Sequence, residues 1–275
     1  MAASPTSGRS TRASGTIATS VDGTAVHERS DAPGDDWNGL TRTRFARGLH
    51  ATVVNSLGRD IAGGVLREGE VINPEQVSER FAVSRSVVRE SLRALESLGL
   101  VQARPQVGTK VLGLHSWDLL NPQVVRWRAE GPDYLEQTRQ LFEVRRGIEL
   151  AAAFLASSRM SVEATDAILS AVDGMEAAYE RDDEDEFIRN DVEFHRLLLE
   201  GSGNPVISQF AETVAALLKT RHDTGRSAFT DGTPLSIRKH HELAQAIRSH
   251  DASAAQDWAL AITTVFDHGQ NEAAH

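Results

Sequence analysis

The sequence predicts a mainly α protein in two parts, an N-terminal winged helix-turn-helix domain and a C-terminal antiparallel all-helical bundle. Three observations support this. Residues 40–112 read as helices followed by two short strands, whereas residues 133–272 show helical periodicity broken only by short polar or Gly/Pro stretches. Charge is also divided: the chain carries a formal net −10, yet residues 41–112 hold 11 basic and 7 acidic side chains and residues 113–275 hold 15 and 27. A basic segment ahead of an acidic body suggests that the first part meets a polyanion from which the second is held off.

The order of elements follows from local signals. Residues 1–38, rich in Ser, Thr, Gly, Ala and Asp without apolar periodicity, are expected to be a disordered tail. The head domain is expected over 39–113. Leu49, Val53, Leu57 and Ile61 form a four-residue stripe, so a helix should end at Gly63-Gly64. Asn73 with Pro74 starts a short helix, Ser84 caps a longer one, and Gly99 stops it. In the longer helix Val88, Leu92 and Leu95 point inward while Arg85, Arg89 and Arg93 run beside them. The stretch "LVQARPQVGTKVL" then gives two strands around a turn that Gly108 permits. Residues 114–132 read as a linker, and 133–275 as the body, with helices near 133–157, 161–181, 184–201, 205–222, 234–249 and 252–272.

Composition narrows the chemistry. The chain has no cysteine, which excludes disulfides and thiolate metal sites, so any metal must be held by oxygen and imidazole nitrogen. No apolar run approaches the roughly 20 residues of a membrane span, and the N-terminus lacks the apolar core of a signal peptide. A cytoplasmic protein with no membrane partner is expected.

Two groups of residues carry candidate function. Ser84, Ser86 and the arginine stripe sit at a helix N-terminus, where Arg can fork onto guanine edges or phosphates and the helix dipole favours phosphate. A solvated face paired with Glu90 and Glu96 is the plainer alternative. In the body, Asp191 and His195 lie four residues apart on one helix face, as two metal ligands must. A catalytic metal site, a sensor and a surface pair are all open on that spacing alone.

The segment "VSRSVVRESLRALESLGLV", Val83 to Val101, with Gly108-Thr109 at the wing, resembles the winged helix-turn-helix of the GntR family of bacterial transcription regulators. The resemblance implies that Ser84, Arg85, Ser86, Arg89, Gly108 and Thr109 contact a palindromic DNA operator and that the protein is a homodimer, usually a repressor. One position departs from the family: Glu75 stands where its DNA-contacting arginine is common.

"EVRRGIELAAAFLA", "DVEFHRLLLEGSGNPVI" and "HHELAQAIRSHDASAA" resemble the effector-binding domain of the FadR-type branch, the FCD domain. "SWDLLNPQVVRWRAEG" is most similar to the sugar-acid regulators of that branch, such as galactonate and gluconate repressors. The branch implies a divalent metal, Zn, Mn or Ni, on Asp191, His195 and His240, with Ile262 at the position of the fourth ligand. It also implies a small carboxylate effector, for which Arg145 is the candidate clamp; an ion pair between Arg145 and Glu149 is the alternative. Asn204 is expected to cap a helix. Two rival readings remain, a DNA-binding protein whose body only dimerises, and a two-His-one-carboxylate metalloenzyme. The second leaves the basic wing unexplained.

Overall fold

The computed structural model describes residues 48–264. The tail over 1–38, the head up to residue 47 and the last expected helix beyond residue 264 lie outside the described residues.

Helix α1 (Leu49–Ala62) buries Val53, Leu57 and Ile61 because their spacing keeps them on one side of a 3.6-residue helix. Leu49, expected to lead the stripe, is 61% exposed, since as the first helical residue it overhangs the core. In α2 (Pro74–Phe81) the Asn73 side chain accepts from the Glu75 N–H at 2.8 Å, and Pro74 occupies a position whose N–H has no helical partner. Ser84 Oγ accepts from the Val87 N–H and opens α3 (Arg85–Ser97), whose Val88, Leu92 and Leu95 are buried. Gly99 ends α3 at φ +75°, with Leu100 N–H donating to Leu95 O at 3.1 Å. A Cβ at Gly99 would lie 1.9 Å from the Ser116 carbonyl oxygen, so a side chain is excluded by space as well as by backbone.

Strands β2 (Val101–Arg104) and β3 (Gly108–Val111) pair antiparallel, with Arg104 opposite Gly108. The wing has one more strand than expected: β1 (Val71–Ile72) pairs with β3, giving the order β1-β3-β2. Two residues are too few for a periodic signal.

The expected linker is structured. It holds a 3₁₀ turn (Leu114–Ser116) and a helix, α4 (Pro122–Ala129). Asn121 and Pro122 start α4 as Asn73 and Pro74 start α2. Val124 and Trp127 complete the head core, while Val125 packs with Leu141, Ala216 and Leu217 of the body. Trp127 Nε1 donates to Asn55 Oδ1 at 3.2 Å, and Gly58 leaves the ring its space: a Cβ there would lie 2.6 Å from the indole. Thus α4 is a joint wedged between head and body.

The body comprises α5 (Tyr134–Arg159), α6 (Val162–Glu180), α7 (Glu184–Gly201), α8 (Pro205–Ser208), α9 (Ala211–Asp223), α10 (Thr233–Arg248) and α11 (Ala252–Thr263). Side chains of Ser161, Asp183, Asn204 and Asp251 cap α6, α7, α8 and α11. The helix expected over 205–222 is two, because a tight turn with Phe210 N–H on Ile207 O ends α8. A common core runs through Ala152, Ile168, Met175, Phe194, Leu198 and Leu243.

Candidate functional site

The head gathers its expected DNA-reading residues on one side. Ser84 Oγ and Ser86 Oγ are 2.8 Å apart at the start of α3. The side chains of Arg85, Arg89 and Arg93 are well exposed, and all three line a groove with Pro74, Glu96, Ala103 and Thr109 between α3 and the sheet. Gly108 has φ +104°, and a Cβ there would lie 2.9 Å from Val71 Cγ1, so the wing needs glycine to close against β1. The arginines have carboxylate neighbours: Glu75 lies 3.6 Å from Arg85, and Glu90 lies 3.9 Å from Arg89 and 2.9 Å from Arg93. These pairs are exposed, so each contributes at most about 1 kcal/mol and can yield to DNA.

The body brings Asp191, His195 and His240 together. Asp191 and His195 share a face of α7 through their four-residue spacing, and α10 supplies His240, which is 2% exposed, while His241 points outward. Asp191 Oδ1 lies 3.4 Å from Nε2 of each histidine, and the two Nε2 atoms are 3.2 Å apart.

The opposite ring atoms are also held. His195 Nδ1 lies 3.0 Å from Glu149 Oε1, and His240 Nδ1 lies 2.7 Å from the Ser236 carbonyl oxygen. Each Nδ1 thus has an acceptor to which it can donate, and each Nε2 is turned toward Asp191, able to donate to it when protonated and to ligate a cation when not. The Arg145 guanidinium stands beside His195, and with Nε2 unprotonated in both rings three donor atoms face one another. Their spacing of 3.2–3.4 Å is that of tetrahedron corners around a metal at about 2.0–2.1 Å, the usual Zn–N and Zn–O distance. The donor set therefore fits a divalent ion with a position left open. Ile262 is buried in the apolar core and has no donor atom to offer.

Without a metal, protons and Arg145 supply the positive charge. Burial raises the Asp191 pKa, but hydrogen bonds from His195 and His240 outweigh it and hold the carboxyl well below its ordinary range. Burial and the Arg145 charge lower the His195 pKa, yet Glu149 and Asp191 leave it raised overall. Arg145 is 4% exposed; its Nε donates to Glu149 at 2.8 Å and its Nη2 lies 2.5 Å from His195 Nε2. Burial opposes ionisation of Glu149, but Arg145 and His195 overcome it and bring its pKa down to about 2.

The ion pair that the spacing of Arg145 and Glu149 allows is thus formed, and it orients His195 as well. Glu149 and Ser236 stand outside the expected site. The Arg145–Glu149 spacing was the signal for the first, whereas a carbonyl contact such as that of Ser236 has no sequence signature. Beside Arg145 lies an apolar cavity of about 10 Å³, walled by α5 residues with Phe210, Val214 and Leu217.

A winged helix-turn-helix head joined to an all-helical body is the architecture of a transcription regulator. The comparisons agree. Residues 49–111 match the bacterial regulatory proteins of the gntR family and residues 140–264 match the FCD domain. The chain is 30% identical over 252 residues to the HTH-type transcriptional repressor NanR of Klebsiella aerogenes, covering 83% of this chain and 88% of that one. It is 28% identical over 211 residues to the galactonate operon transcriptional repressor of Escherichia coli, covering 76% and 91%. A solved structure of Lar from Listeria monocytogenes, 16% identical, superposes with a TM-score of 0.52 over 80% of this chain and 95% of that one, and so shares the fold. The chain belongs to the GntR family of transcription regulators and carries an FCD domain. It is not an enzyme, and the metalloenzyme reading of the tripod is set aside.

Proposed function

We propose that this protein is a cytoplasmic homodimeric repressor that leaves its operator when a small carboxylate, a sugar acid such as galactonate or gluconate, binds in the helical body. The observation that carries the reading is the buried tripod of Asp191, His195 and His240 beside Arg145. Those three side chains would hold Zn, Mn or Ni, and a bound ion would offer its open position to a carboxylate or hydroxyl oxygen. Arg145, held by Glu149, would fork onto the same carboxylate. Similarity to a galactonate operon repressor supports the sugar acid.

The domain division that goes with this reading is a DNA-binding head over 39–113, a joint in place of the 114–132 linker, and an effector-binding and dimerising body from 133. A palindromic operator suits a two-fold dimer. Among the described residues no helix is long and apolar enough to cross a membrane.

The joint supports a route between the sites. A cavity of about 10 Å³ holds about one water, so a sugar acid must push its wall outward. One wall is α9, whose Ala216 and Leu217 pack on Val125 of α4, and Thr213 Oγ1 donates to the Leu120 carbonyl. Moving α9 displaces α4 and with it Trp127, which is 1% exposed in the head core. Regulation requires that the acid favour one head arrangement over the other.

Two measurements test the function. Sequencing the DNA that the purified protein retains from its own genome should yield one palindromic motif beside genes of acid-sugar use. Calorimetric titration with galactonate, gluconate and related acids, with and without added Zn, Mn or Ni, should show binding. No binding under any of these conditions would refute the effector.

A further inference from the structure

We infer that Glu75 is a specificity-determining residue of the head, a carboxylate that reads a base and aims Arg85 at its neighbour. This deepens the DNA-binding reading and rests on it. Glu75 stands in the first turn of α2, and its carboxylate reaches Arg85 at the first residue of α3, 3.6 Å away. Both side chains are well exposed, at 58% and 81%, so the pair adds little to folding. Pro74, the residue before Glu75, lines the same groove as Arg85, Arg89 and Thr109, which places the pair at the rim of the DNA-facing surface.

A carboxylate at that rim cannot serve affinity. Two helix N-termini meet there, a setting that favours phosphate, and an exposed carboxylate repels the duplex backbone instead. Two of its properties serve discrimination. Glu accepts a hydrogen bond from the cytosine N4 amine, and no other base pair offers that donor beside an Arg-accepting guanine in the same arrangement. Glu75 beside Arg85 also biases the guanidinium, weakly, away from phosphates and toward guanine O6 and N7. Glu90 differs, because it lies on α3 itself, between Arg89 and Arg93.

The test is selection from a randomised duplex pool with the full chain and its Glu75→Gln, Glu75→Asp and Glu75→Arg variants. Wild type should enrich a palindrome with a C·G pair at one fixed position in each half. Glu75→Gln should lose about tenfold of the preference at that pair alone, and Glu75→Asp should keep part of it. Glu75→Arg should bind unrelated duplex more tightly, with a salt slope steeper by about 0.9 per protomer from one added phosphate contact. An unchanged motif and unchanged preference in Glu75→Gln would overturn the assignment while leaving the DNA-binding reading intact. A wild type that enriches no motif would overturn both.

Discussion

Replacing Glu149 by Leu tests how the site is held together. The change leaves the Arg145 guanidinium, 4% exposed, without its carboxylate and takes the acceptor from His195 Nδ1. Removing one partner of a buried ion pair costs about 3–5 kcal/mol, because the remaining charge stays desolvated. For a chain of this size each kcal/mol lowers Tm by about 2–4 °C, so the variant should melt about 6–20 °C below wild type by circular dichroism. Replacing both residues removes the stranded charge, and Arg145→Leu/Glu149→Leu should recover most of that loss. A single variant melting within about 2 °C of wild type would refute the buried pair. A double variant falling as far as the single would refute the stranded-charge explanation.

Other expectations follow from the same geometry. Glu149 has a folded pKa of about 2 against an ordinary 4.5, so its stabilisation is complete above pH 4.5 and is lost as pH falls toward 2; Glu149→Gln should flatten the Tm profile in that window. His195 has a raised pKa and must give up its Nε2 proton to bind metal, so Zn affinity by competition with a chelator should fall as the solution is acidified below neutrality; a flat profile would contradict the ligand role. Gly58→Val drives a side chain into the Trp127 ring and should destabilise by about 1–3 kcal/mol, read in urea unfolding. Arg85→Ala with Arg89→Ala should abolish operator shift in gels without changing Tm, since both side chains are exposed; an unchanged shift would overturn the docking of α3.

Elements with a repeated signal were legible in the sequence. The Asn73-Pro74 and Ser84 starts, the Gly99 stop and the inward stripe of Val88, Leu92 and Leu95 each state a local preference that packing then follows. The body helices are legible from their periodicity and the short polar breaks between them, and the structure adds side-chain caps at Ser161, Asp183 and Asp251. The joint was harder to see: Asn121-Pro122 is as clear a start as Asn73-Pro74, but eight residues are too few to show which faces are buried, and α4 is buried on both sides. At the tripod, spacing shows that Asp191 and His195 share a face. Resemblance to the family suggested His240, because nothing local relates residues 45 positions apart. The four-residue spacing pairs Glu149 with Arg145, and only the fold sets it against His195 as well.

In the proposed function the tripod in the body governs DNA binding by the head. The most direct measurement of that control is operator affinity, by fluorescence anisotropy on the retained genomic motif, for wild type and His240→Ala with and without the acid that binds in calorimetry. The acid should weaken wild-type binding by at least about tenfold, within the 1–3 kcal/mol typical of coupling between sites. His240→Ala should bind the operator as wild type does and ignore the acid. Equal loss of operator affinity in both proteins, or no loss in wild type, would contradict the proposed control.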